Sequence, residues 1–172
     1  MDYQIGEYLV HPAFGVGSIK AIEKMIVEAA EPTLYYRVAF DDITIWIPVQ
    51  YRQQSIDRLH PSVRPHAPVR PLTPKSELPR YRTVLSSPPV PLADDFRVRQ
   101  EGIESRLKQG SFQALCELMR DLNARRVGNQ LNKYDSTLLE KLRLSIQKEW
   151  AVSSGISEEQ AAFEIEQMLS SR

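Results

Sequence analysis

Along Leu34-Tyr-Tyr-Arg-Val-Ala-Phe40 every second residue is apolar: Leu34, Tyr36, Val38 and Phe40 lie on one side, Tyr35, Arg37 and Ala39 on the other. Ile43, Ile45 and Ile47 continue the alternation, with Thr44 and Trp46 facing away. A period of two is what a strand with one buried side requires, because successive side chains leave opposite faces of a sheet. Two further extended runs precede these, Tyr8 to His11 and Ser18 to Val27. Between them, Pro12 has no amide hydrogen for a ladder, and the glycines at 15 and 17 accept positive φ, so a sharp turn is expected. Asp41-Asp42 predicts the hairpin turn before the fourth strand, Glu28 to Pro32 a looser connection, and Pro48 the end of the run. Strands this short and this closely spaced predict a small, strongly bent barrel over residues 1–60, with Ile56-Asp-Arg-Leu59 packing back across it.

After Asp94-Asp95 the spacing of apolar residues changes to three and four, the helical period. A helix from about Arg97 to Gln109 would bury Val98, Ile103 and Leu107 and stop at Gly110. Ser111 caps a second, with Phe112, Leu115, Cys116, Met119 and Leu122 inward. A third runs from near Asn132 to Ser154, burying Leu138, Leu139, Leu142, Ile146 and Trp150, with Gly155 as its stop. Ser157-Glu-Glu-Gln160 is a capping box for a fourth, whose inner stripe is Ala161, Ile165, Met168 and Leu169. The expected fold is thus α+β in two domains, with a compact four-helix domain over residues 96–172. Between them, residues 61–91 hold nine of the chain's twelve prolines and no glycine, interleaved with Arg64, Arg70, Lys75, Arg80 and Arg82. That composition predicts an extended polyproline spacer without a core, and residues 61–95 read as the linker.

Charge and chemistry narrow the function. Lysine plus arginine total 22, as do aspartate plus glutamate, which argues against a protein held on nucleic acid by bulk charge. Residues 96–133, however, carry eight basic groups against four acidic ones, where residues 1–60 carry five against eight. One cysteine, Cys116, leaves no disulfide framework or thiolate cage, and reads as a core residue of the second helix. His11, His60 and His66 are scattered without metal-ligand spacing, and Gly15-x-Gly17 lies between strands, where no helix dipole can hold a phosphate. No basic, apolar leader and no apolar run of membrane-spanning length is present, so a soluble cytoplasmic protein is expected, a monomer without cofactor or metal and not an enzyme. Trp46 stands out. It is either a rim residue covered by the segment that follows, or exposed, forming with Met25 and Val27 an apolar docking patch.

The order of parts resembles the CarD/CdnL family of bacterial transcription regulators, and the first domain resembles the RNA-polymerase-interacting module of the transcription-repair coupling factor. The likeness rests on Ile5-Gly6, Val10-His11-Pro12, Gly15, Ala21-Ile22-Glu23 and Pro48, and on Gly110, Arg120-Asp121-Leu122, Lys141, Arg143 and Glu149. It implies a Tudor-like barrel docking on a lobe of the polymerase β subunit, through a face that here would include Met25, Val27, Arg37 and Trp46. It also implies a helical domain that wedges an aromatic residue into the minor groove of promoter DNA, without sequence readout, at the upstream edge of the bubble, while basic neighbours hold phosphates. The wedge position holds Phe96 where the family has tryptophan, and Arg97, Arg99, Arg125 and Arg126 are the implied phosphate partners. Asp94 and Asp95 beside it would repel phosphate, and Phe96 could instead be a staple on its own domain's core. Met25 and Trp46 replace arginines usual in the family, and the spacer is longer. A protein-interaction adaptor without DNA contact is the competing reading.

Overall fold

A computed structural model describes residues 3–26, 32–49, 69–128 and 131–170. The chain divides into two compact units, Met1–Leu72 and Thr73–Arg172. The first is an antiparallel sheet of β1 (Tyr8–His11), β2 (Gly15–Met25), β3 (Thr33–Ala39), β4 (Thr44–Pro48) and β5 (Arg70–Pro71), in the order β4-β3-β2-β1-β5. Its inner side is the one the alternation predicts: Leu9, Ile19, Tyr36, Val38, Phe40 and Ile47 form the core, with Tyr3, Ile45, Val49 and Val69 against it. Leu34 and Ile43 depart from the pattern and are exposed. Ile43 precedes β4 and its carbonyl accepts from Phe40 N (2.8 Å), so it belongs to the turn.

The two glycines of the first hairpin do different work. Gly15 opens β2 at φ +74°, a conformation that costs other residues steric strain. Gly17 lies within β2, opposite Leu9, and a Cβ there would come within 2.5 Å of the Phe40 ring and 2.7 Å of Val38. Its reason is close approach, not the turn. The register shifts between Ile19 and Ala21, and this bulge bends the longest strand. Among the described residues β4 and β5 do not pair, so the expected barrel is an open five-stranded sheet there. The segment Ile56 to Leu59 and Val27 lie outside the described residues.

The second unit holds five helices among the described residues, not four: α1 (Leu78–Ser86), α2 (Phe96–Gln109), α3 (Phe112–Val127), α4 (Lys133–Ser154) and α5 (Glu158–Ser170). The last four stand where apolar period and capping place them. Asp95, Ser111 and Asn132 side chains accept from Val98 N, Ala114 N and Asp135 N, and Ser157 Oγ from Gln160 N. Gly110 and Gly155 end α2 and α4 in the left-handed conformation.

Among the described residues, helix α1 corrects the expectation of a coreless spacer. Pro79 falls in the first turn, where a missing amide hydrogen costs nothing, and Leu78, Tyr81 and Leu85 are buried in the helical core. Pro88, Pro89 and Pro91 come only after the helix has ended at Ser87. The prolines bracket a helix rather than forbid one. Upstream, Arg70–Pro71 pairs with Leu9 and Val10 as the outer strand of the sheet, where proline costs no internal ladder bond.

Buried polar groups fasten these irregular stretches to the regular helices. Asp121 accepts from Val90 N (2.9 Å), Arg120 Nε (2.8 Å) and Arg106 Nη1 (2.7 Å), and Arg120 donates to Ser87 Oγ (2.6 Å). Glu149, 1% exposed, accepts from Thr73 N and Oγ1 at 3.3 and 2.7 Å. A buried charge persists only when paired and hydrogen-bonded, so Arg120, Asp121 and Glu149 are struts of the fold. No helix among the described residues is long and apolar enough to cross a membrane.

Candidate functional site

Each unit presents one candidate face. On the sheet, directly paired residues share a side, so Ala21, Arg37 and Trp46 form one outward row, Glu23, Tyr35 and Pro48 the next, and Met25 with Thr33 a third. Trp46 is 39% exposed and points away from the core, and the segment expected to cover it lies outside the described residues. Its indole Nε1 donates to Glu23 Oε2 (2.9 Å), and Arg37 Nε stands 3.1 Å from Glu23 Oε1. One carboxylate thus holds both the indole and the guanidinium. Met25 shares this face, but the Glu23–Tyr35 row lies between it and Trp46, so the two do not make one continuous apolar patch. Val27, the remaining expected member, lies outside the described residues.

On the helical unit the starts of α2 and α4 come together. Arg99 Nε donates to Asp135 Oδ2 (3.0 Å), and Arg99 Nη1 to the carbonyls of Ala93 (2.7 Å) and Asp94 (2.8 Å). Both members of the ion pair are buried, their side chains 5% and 1% exposed. Arg99 is therefore not a phosphate ligand: it clamps the loop before α2 onto the first turn of α4. The reason is helical spacing, since position 99 lies four residues before the buried Ile103 and shares its face, while Val98, expected inside, is 58% exposed.

Above this clamp Phe96 is 44% exposed. Its ring packs edge-on to Tyr134 (centroids 6.2 Å) and lies 5.8 Å from the Arg99 guanidinium, and it is not part of the helical core. Arg97 and Lys133 are exposed beside the two aromatic rings in sequence. The dipoles of the two helix starts add partial positive charge to this corner. Arg125, expected as a phosphate partner, is mostly buried and donates through Nη1 to Leu92 O (3.4 Å) and Asp94 Oδ1 (3.2 Å). Arg126 is exposed and 3.7 Å from Glu166, which also pairs with Arg143 at 2.5 Å. Of the four expected arginines, Arg97 and Arg126 remain at the surface. Tyr134 and Lys133 were missed: Asn132-Lys-Tyr-Asp135 signals only a helix start, and nothing linear links it to position 96.

Enzyme-like features are not gathered at either face. His11 is buried, its Nδ1 accepting from Ala13 N (3.1 Å) within the first turn, and Cys116 is a buried core residue as expected. Among the described residues no three His, Cys, Asp or Glu side chains group to hold a metal ion. An open cleft lined by Arg126, Leu131, Ser136, Leu139, Glu140 and Arg143 offers mixed charge.

The fold comprises two units: a sheet with an exposed tryptophan, and a helical unit with an aromatic, basic corner. Residues 3–60 match the family model described as the CarD-like/TRCF RID domain, and residues 81–166 match the CarD C-terminal domain. The chain belongs to the CarD-like family, and with it to the transcription regulators. It is 25% identical over 159 residues to YdeB of Bacillus subtilis (strain 168), a candidate transcription factor by its name, covering 92% of this chain and 96% of that one.

Proposed function

We propose that this protein grips RNA polymerase with the outward face of its sheet unit and promoter DNA with the helical corner around Phe96, tuning the stability of the open complex. The sheet unit acts as the family's Tudor-like module on the lobe of the β subunit. Trp46, Arg37 and Tyr35 carry that contact, with Met25 at the periphery, so that an aromatic ring does work for which relatives use arginine. Phe96 is the wedge. It enters the minor groove at the upstream edge of the bubble, Tyr134 supports its ring, and Arg97, Lys133 and Arg126 meet phosphates. The contact is insensitive to sequence because neither a wedge nor a phosphate clamp reads base edges.

The observation that carries this reading is the exposed Phe96–Tyr134 pair at the junction of two helix starts. Its test is the lifetime of open promoter complexes with the full chain against Phe96→Ala. A several-fold shorter lifetime is expected, with the melting temperature of the helical unit nearly retained because the ring is half-exposed. An unchanged lifetime would remove the wedge. Asp94 and Asp95 favour the adaptor reading, since two acids flank the ring. Salt-insensitive or undetectable binding to forked DNA, with polymerase still retained, would select it.

A further inference from the structure

Asp94 and Asp95 are not equivalent. Asp95 is the N-cap of α2, its side chain accepting from Val98 N at 3.0 Å. Asp94 has no such duty. Its side chain is 95% exposed, and its carboxylate meets one partner among the described residues, Arg125 Nη1 at 3.2 Å, on a side chain only 13% exposed. The loop that carries it is already held through its backbone: Arg99 takes the carbonyls of Ala93 and Asp94, and Arg125 that of Leu92. The shape of the loop does not depend on the Asp94 carboxylate.

We infer that Asp94 is a built-in competitor for DNA phosphate, its carboxylate occupying on Arg125 the place a phosphate oxygen would take beside the Phe96 wedge. This rests on the DNA reading above and adds a regulatory residue to it. A carboxylate and a phosphate oxygen offer the same acceptor to a guanidinium, and both pair with it by charge-assisted hydrogen bonds. With its carboxylate almost fully in water, the Asp94 side of the pair is screened and held weakly enough for a polyanion to displace. While it persists it withholds one cation from the DNA and leaves one anion next to the groove. The protein therefore binds forked DNA less tightly than its surface allows, which keeps it exchangeable in the absence of polymerase.

The test is binding of the full chain to a fluorescent forked duplex over a range of salt, for the natural protein, Asp94→Asn, Arg125→Gln and the double variant. Arg125→Gln retains a donor for the Leu92 carbonyl. Asp94→Asn is expected to tighten binding about five-fold at low salt. It should also steepen the slope of log K against log salt by about 0.9, the increment for one more phosphate contact. In the Arg125→Gln background the gain should fall by at least about half, the non-additivity expected of two groups in direct contact. A structural role predicts the opposite sign: Asp94→Asn would lower the melting temperature and weaken binding. If the natural protein binds in a salt-dependent way and Asp94→Asn binds equally or less well, the competitor is wrong and the DNA reading stands. If neither binds the fork at any salt, both fall.

Discussion

Two carboxylates, each shared by a candidate face, behave in opposite ways. Glu23 on the sheet is 39% exposed and holds Trp46 and Arg37 at the surface, where water screens the pairing. Asp135 in the helical unit is 1% exposed and receives a buried arginine that also binds two backbone carbonyls. The sheet's face is therefore assembled from parts whose removal leaves the fold intact. The helical corner is assembled partly from its frame, to which Arg99 beneath the wedge belongs. Among the described residues, Phe96, Arg97, Tyr134 and Lys133 are exposed at that corner, and Arg125 is engaged by Asp94. A basic segment read from its charge count overstates the binding surface, because some of its cations are already in use.

That contrast makes unequal outcomes. Arg99→Ala leaves Asp135 buried without its partner and should cost the helical unit about 3–5 kcal/mol, read by urea unfolding, whereas Arg97→Ala two residues away should stay within about 0.5 kcal/mol. Equal effects would abolish the distinction between strut and surface cation. Leu85→Ala, in a helix flanked by prolines, should cost about 2–5 kcal/mol because Leu85 is fully buried. A loss below about 0.5 kcal/mol would return α1 to the status of a spacer. On the sheet, Trp46→Ala should change stability by about 1 kcal/mol or less, while capture of polymerase by the tagged chain falls several-fold. Normal capture would move the docking face elsewhere.

The smallest expected effect is a pH dependence. Desolvation, then its hydrogen bond to Glu77 Oε2 (3.0 Å), pushes the Tyr81 hydroxyl above its ordinary value of 10.0. A phenol whose folded pKa is raised contributes stability that is present below the unfolded value and lost as pH rises through the folded one. Unfolding midpoints of the natural protein should therefore decline above about pH 10 more than those of Tyr81→Phe. Parallel curves would assign the decline to other groups.

What could be read from residue order is local. Alternation over 34–40 gives a strand with Tyr36 and Val38 inside. The spacing within Ala161, Ile165, Met168 and Leu169 gives a helix face, and Ser111 and Ser157 mark helix starts because a cap acts within three residues. Trp46 was placed outward by period two alone, and the family likeness was legible because both domains carry their marks in order. Proline composition misled, since a count of prolines does not say that Pro79 falls where its missing amide hydrogen is harmless.

The chain by itself determined where most strands and helices lie, their inward stripes and their order, because φ restrictions, capping and hydrophobic period operate over a few neighbours. Only tertiary structure decided that Arg99 is a strut, that Phe96 shares its corner with Tyr134, and that Glu149 fastens Thr73. The bond from Arg99 to Asp135 spans 36 residues and that from Thr73 to Glu149 spans 76. Whether a cation is buried or offered to a partner depends on what the fold brings against it, and no window of neighbouring residues contains that information.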